Sequence, residues 1–268
     1  MALHSQISIN TLCLPAAPLG SHADTVARLG ARAFSPGVAA VLEFGVKETA
    51  RAIRNAGLEV ATVTHLAFGF ATPEATAEAR ERLLQTIGIA ADIGAQSVIM
   101  TTGGRGGLSW AEAAGRFAEA MAPCAEAARS AGIKIGIEGT SHLYSDVSIA
   151  HRLSDTARLA RMAGIAVMLD TFACWFDSDI ETAIAEAGSL IGLVQVSDYV
   201  YGDRSLPCRA VPGDGDSGLD RMIPAIAAAG FGGYYDLEVI GPRLVAEGAE
   251  AGLRRAADFI GALLEKKD

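Results

Sequence analysis

Basic charge is what this chain has least of. Lys and Arg number 22 against 31 Asp and Glu, a formal net charge of −9, and no Lys/Arg cluster interrupts the acidic background. Nucleic-acid binders offer phosphates a basic stripe, so nucleic acid is not an expected partner. Long apolar runs are missing as well. No stretch reaches the roughly 18 uncharged apolar residues that a membrane span needs, so no membrane partner is expected. The opening residues, MALHSQISIN, lack a basic region followed by an apolar run. No secretory signal is read there, and a cytoplasmic location is the expectation. Cysteine is sparse and scattered, at Cys13, Cys124, Cys174 and Cys208, with no CxxC pair. That spacing excludes a thiolate zinc site and suits unpaired thiols in a reducing compartment. The chain ends in Glu265-Lys266-Lys267-Asp268, read as a short solvated tail.

What is present is apolar material, half of the 268 residues, arranged in a repeating pattern. Short β-branched runs alternate with longer alanine-rich segments of helical period. Strands are predicted at Gln6–Leu14, Arg32–Val38, Glu59–Leu66, Ser97–Thr102, Lys134–Glu138, Ala166–Asp170, Ile191–Asp198 and Tyr234–Ile240. Helices are predicted between them, among them Val46–Ala56, Pro73–Ile93, Ser109–Ser130, Val147–Met162 and Asp179–Ala187, with Leu244–Leu264 last. Glycine closes several of these helices, directly at Gly57 and Gly94 and one residue further on at Gly164, where a left-handed cap is favoured. Strands that alternate with helices pair in parallel through helical crossovers. Several strands are apolar on both faces, as a sheet covered on both sides requires. Eight such units in about 250 residues predict a single (β/α)8 TIM barrel, one domain over residues 1–268. No GxGxxG turn follows the first strand, which argues against a doubly wound nucleotide-binding sheet.

In a barrel, chemistry sits where strands end and the following loops begin. His65 ends the third strand, Glu138 the fifth and Asp170 the sixth. The seventh carries Gln195 and Asp198, and the eighth carries Asp236 and Glu238. Charged side chains in apolar strands are costly unless paired or metal-bound. Carboxylates at matching ends of several strands point to one divalent metal ion, with a buried ion-pair network as the alternative. Oxygen donors beside an amide favour Mn²⁺ or Mg²⁺, with Co²⁺ or Zn²⁺ also accommodated. Asp236 and Glu238 are two apart and share a face. Glu238 is nearer the C-terminal end and is the better ligand. Arg209, just before Pro212-Gly213-Asp214-Gly215, is a candidate substrate anchor because a guanidinium grips oxygen pairs in two-pronged fashion. His142 follows Glu138 closely and is a candidate rim residue. The run Gly103-Gly104-Arg105-Gly106-Gly107 reads as a flexible loop near the mouth.

Taken in order, Ile137-Glu138, Leu169-Asp170-Thr171, Gln195-Val196-Ser197-Asp198, Arg209 to Gly215 and Leu237-Glu238 resemble the xylose-isomerase-like barrel superfamily over roughly residues 6–262. The resemblance implies one metal held by Glu138, Asp170, Gln195 and Glu238, with Glu138 and Glu238 as catalytic acid and base and His65 touching substrate. Many members carry histidine at the strand-seven position. Members similar to hydroxypyruvate isomerase carry glutamine, as here. The histidine that epimerase-like members often place after the strand-six aspartate is missing from Asp170-Thr171-Phe172-Ala173-Cys174-Trp175.

The function expected is therefore a metal-dependent isomerase or epimerase of a small sugar-like hydroxycarbonyl compound. A cation chelating the carbonyl and its neighbouring hydroxyl acidifies the adjacent C–H through an enediolate, and the two glutamates move the proton. Two other readings stay open. A lyase, a dehydratase of a polyol ketone or of dehydroshikimate, would begin with the same proton abstraction. A non-catalytic binding protein would follow if Gln195 marked a decayed site. Homo-oligomerisation is open too, with Leu244–Leu264 a candidate dimer face.

Overall fold

Apolar β-branched runs form strands and the alanine-rich runs cover them. The computed structural model describes residues 2–266 as an α/β barrel, so Lys267 and Asp268 of the charged tail lie outside the described residues. Its strands are β1 (Ile7–Asn10), β2 (Ala33–Ser35), β3 (Glu59–Val60), β4 (Val63–Thr64), β5 (Ser97–Met100), β6 (Lys134–Glu138), β7 (Ala166–Asp170), β8 (Ile191–Val196) and β9 (Tyr235–Leu237). All ladders are parallel, in the order β3-β2-β1-β9-β8-β7-β6-β5-β4.

The expected (β/α)8 barrel of eight strands is thus corrected: the sheet has nine, with eleven α-helices among the described residues. The difference lies in the predicted strand Glu59–Leu66, which is two strands. β3 pairs with β2 and β4 pairs with β5. The backbone of Ala61 still bonds Phe34 (N to O, 3.1 Å) and that of Thr64 bonds Pro36 (3.0 Å), while His65 bonds Ile99 (2.8 Å). Pro36 has no N–H to return, so the β2–β3 ladder stops and the chain crosses to β5. Single bridges, Gly37 to Thr64 and Val60 to Ala95, span the seam.

Two helices also differ from expectation. Val147–Met162 starts as helix only at Leu153. Residues before it are held in a loop, where Thr102 Oγ1 accepts the Ile149 N–H at 2.8 Å. Leu244–Leu264 is two helices, Pro242–Glu247 and Ala249–Glu265, divided at Gly248 with φ +94°. Ser109 caps Trp110–Ser130 through a reciprocal pair with Glu112, as a Ser-x-x-Glu start favours.

The apolar core lies in two places. The larger cluster fills the layer between strands and helices, with Phe117 edge-on to Phe68 and Phe70. A smaller one, including Ala33, Ile99, Ala166, Met168, Leu193 and Tyr234, plugs the barrel interior. Alternation along each strand then decides what stands above that plug. Two residues after Met168 comes Asp170, two after Leu193 comes Gln195, and two after Tyr234 comes Asp236, then Glu238. The polar residues are thereby stacked on an apolar floor. No helix among the described residues is long and apolar enough to cross a membrane.

Candidate metal centre

Glu138, Asp170 and Glu238 come together: one carboxylate oxygen from each lies within 4.8 Å of the others. Glu138 ends β6, Asp170 ends β7, and Glu238 directly follows β9. Asp170 is also the N-cap of the short helix Thr171–Cys174, its Oδ1 accepting the Phe172 N–H at 3.0 Å. Gln195 sits between them in register, level with Asp170 on one side and Asp236 on the other. It is buried, and neither its Oε1 nor its Nε2 has a hydrogen-bond partner among the described residues; Glu238 Oε2 also lacks one. Buried polar groups are seldom left so. Three converging acids suit a hard divalent cation, and a buried, unpartnered amide level with Asp170 adds an oxygen donor of the same kind, so the donor set fits the group the sequence implied.

Arg209 reaches the same point. Its Nη1 donates to Asp170 Oδ1 (2.9 Å) and to Ser197 Oγ (3.0 Å), and its Nη2 to Asp170 Oδ2 (2.7 Å). Nη2 also lies 3.2 Å from Glu238 Oε2. The guanidinium carbon stands 4.7 Å over the Phe172 ring, a cation–π seat. Phe172 begins an aromatic group in a chain that is only 6% aromatic. Tyr199 packs on Phe172 at 6.2 Å and stacks on Trp175 at 5.2 Å, and Tyr201 lies 5.7 Å from Trp175.

Burial and mutual repulsion dominate the charges. Burial, with the charges of Glu238 and Asp170, raises Glu138 well above the usual carboxylate range, against the pull of Arg209. Glu238 is pushed up to about 7 by burial, opposed by Arg209 and reinforced by Asp170 and Asp236. Burial opposes ionisation of Arg209 too, but the charges of Asp170 and Glu238 outweigh it and raise its pKa further. Burial and the neighbouring acids thus shift Glu138 and Glu238 in the same direction, toward the protonated form, beside the arginine that Asp170 binds.

Asp236 is the deeper acid. It accepts from Ser35 Oγ (2.6 Å) and Asn10 Nδ2 (3.1 Å), and burial holds it at about 6. The sequence reading did not find these partners, nor Ser197 and Phe172 around Arg209. Polar Ser8, Asn10 and Ser35 at inward positions of otherwise apolar β1 and β2 were the available signal.

The two histidines are placed differently. His65 is buried, with its Nδ1 bonded to Thr86 Oγ1 at 2.9 Å, and burial, with the Arg82 charge, lowers it to about 4. It is a neutral ring, and no recorded bond joins it to the three acids. His142 begins an exposed 3-10 turn, His142–Tyr144, away from the cluster's bonds. The glycine run at 103–107 is partly pinned rather than free: Gly103 N bonds Val147 O at 2.8 Å.

The profile of the xylose isomerase-like TIM barrel family matches residues 23–263, and the chain belongs to that family. No curated protein matches it. Solved structures share the fold across nearly the whole chain. Protein SMc04130 from Sinorhizobium meliloti 1021 is 24% identical with a TM-score of 0.86, covering 95% of this chain and 96% of that one. The IOLI protein, solved with a zinc atom, is 15% identical with a TM-score of 0.84 over 97% and 98% of the two chains. D-psicose 3-epimerase from Clostridium cellulolyticum H10, solved with D-tagatose, is 16% identical with a TM-score of 0.81 over 97% and 100%.

Proposed function

We propose that this protein is a divalent-metal-dependent isomerase or epimerase of a small, sugar-like hydroxycarbonyl compound. The observation that carries the reading is the convergence of Glu138, Asp170 and Glu238 on one point beside the unpartnered amide of Gln195. These four residues would hold the cation, with Mn²⁺ or Mg²⁺ favoured over Co²⁺ and Zn²⁺ because every donor is oxygen. When bound, the ion supplies Lewis-acid polarisation of the substrate carbonyl. Glu138 and Glu238 do the proton work. One takes the proton from the carbon next to the carbonyl and the other returns a proton at the neighbouring carbon or the opposite face. Burial above the apolar plug raises both carboxyls above the usual carboxylate range, Glu238 to about 7. Lysis of a C–O bond after the same abstraction is the second reading. Loss of one water from the product, seen by mass spectrometry, separates the two.

Elemental analysis after equilibration with mixed Mn²⁺, Mg²⁺, Co²⁺ and Zn²⁺ tests the centre. About one ion per chain is expected. A folded chain that retains none, with no heat in a titration, removes the proposal and leaves a binding protein with a decayed site.

Arg209 is assigned to anchoring an oxygen pair of the substrate, with His65 and His142 as further substrate contacts. Arg209→Ala is expected to raise KM roughly 10- to 100-fold, the worth of a charged hydrogen bond, with a smaller change in kcat. Steady-state kinetics with the metal saturating checks it, and an unchanged KM removes the anchoring role.

A further inference from the structure

Asp198 lies just beyond β8 and is buried, yet all its side-chain bonds run away from the acidic cluster. Its Oδ1 accepts from the backbone N–H of Tyr199 (2.9 Å) and Ser217 (3.2 Å) and from Ser217 Oγ (2.6 Å). Its Oδ2 accepts from the N–H groups of Gly213 and Gly215, both at 3.0 Å. Its backbone also exchanges both hydrogen bonds with Ala210, at 2.9 and 2.8 Å. The chain therefore leaves at Tyr199, makes an excursion and returns at Arg209, and one residue closes both ends.

The returning segment is shaped for that carboxylate. A Cβ on Gly215 would sit 2.4 Å from Asp198 Oδ1 and 2.5 Å from Tyr199 O. Gly213 has φ +97°, and a Cβ there would meet the Phe259 ring at 2.9 Å. Five donors around one side chain need two acceptor oxygens, which an amide does not offer.

We propose that Asp198 is the positioning residue for Arg209: its carboxylate clasps residues 210–217 to the end of β8 and so sets the guanidinium against Asp170 and Glu238. The inference rests on the reading of the three acids as the metal and substrate centre. The Asp198 carboxylate is bonded to Tyr199, Gly213, Gly215 and Ser217 and to none of the three acids, so it acts through the segment it holds.

Asp198→Asn tests this in the full chain, because it keeps the shape and turns one acceptor toward the Gly213 and Gly215 N–H groups into a donor. Gly215→Ala, which crowds the clasp from the other side, is the second variant should the first fold poorly. Amide exchange at Gly213, Gly215 and Ser217 is expected to quicken roughly tenfold or more, the loss of one charged hydrogen bond, with exchange in β6 to β8 unchanged.

A titration of metal-free protein with Mn²⁺ reads the consequence for Arg209. The guanidinium shares Asp170 and Glu238 with any bound cation, so releasing it tightens Mn²⁺ binding by several-fold. Asp198→Asn and Arg209→Met should each do so, and the double variant should gain nothing further, as residues acting in one chain do. In kinetics the same non-additivity should appear in KM. Unchanged exchange, or additive effects in the cycle, overturns the role of Asp198. If wild-type protein binds no Mn²⁺, the metal reading fails by itself, and the exchange rates alone decide for or against the clasp.

Discussion

Glu238→Gln is expected to lower kcat by roughly 10²- to 10⁴-fold, the usual worth of a general acid or base, in a protein that still folds. Glutamine keeps the volume of the buried side chain, so the barrel has no cavity to absorb. What it loses is the ionisable oxygen. In the native chain that carboxyl is held at about 7, and the Arg209 guanidinium, 3.2 Å from Oε2, is its charged neighbour at the centre. The contrast with Asp236 on the same strand is informative. Asp236 is engaged by Ser35 and Asn10 and has less freedom to exchange a proton with substrate. Elemental analysis should show weaker metal retention in Glu238→Gln, and circular dichroism should show an unchanged fold. Turnover near the wild-type rate with metal bound would remove Glu238 from the chemistry.

The second large effect is on stability against pH in metal-free protein. Glu238 rises from an ordinary 4.5 to about 7 and Asp236 from 3.8 to about 6, and Glu138 shifts in the same direction. For an acid whose folded pKa is raised, the fold favours the protonated form. Its contribution is complete below the unfolded pKa and is lost as pH rises through the folded one. Stability therefore declines between 3.8 and about 6 for Asp236 and between 4.5 and about 7 for Glu238. His65 acts in the opposite sense. Its pKa falls from 6.5 to about 4, so its contribution is present above 6.5 and lost as pH falls through about 4.

Comparison with Glu238→Gln isolates the acid. Without metal, the variant should gain on wild type by roughly 1–3 kcal/mol between pH 5 and pH 7.5, a rise of several degrees in relative Tm for a domain of this size. Added Mn²⁺ should reverse the order, because the cation binds the deprotonated carboxylates and stabilises wild type by mass action. Parallel Tm curves for the two proteins across this range would mean that Glu238 is ionised throughout.

The centre was legible because its residues violate their surroundings. Glu138, Asp170 and Glu238 are charges ending apolar strands, and the two-residue period put Asp236 below Glu238 without any coordinates. Gln195 was found by resemblance and position, since a glutamine alone carries little signal. What escaped the sequence depends on partners distant along the chain. The division of Glu59–Leu66 follows from a missing N–H at Pro36, just past the end of the neighbouring strand β2. Asn10 and Ser35 meet Asp236 across more than 200 residues of sequence. The overextended helix before Leu153 had apolar residues of suitable period, but Val147 and Ile149 are bonded into a loop by Gly103 and Thr102. The break at Gly248 stood open to reading, as a glycine inside a long helical pattern.

The aromatic group beside Arg209 gives the molecule an optical reporter of its own. The chain has two tryptophans. Trp175 is stacked on Tyr199 and lies near Tyr201, both on the excursion that Asp198 closes. Trp110 sits under Arg158 at 5.0 Å, its indole N–H bonded to the Ile149 carbonyl. With Trp110 replaced by phenylalanine, the remaining emission would come from one ring whose quenching neighbours ride on that excursion. Stopped-flow fluorescence of such a protein would time the arrival of metal and substrate without any attached dye.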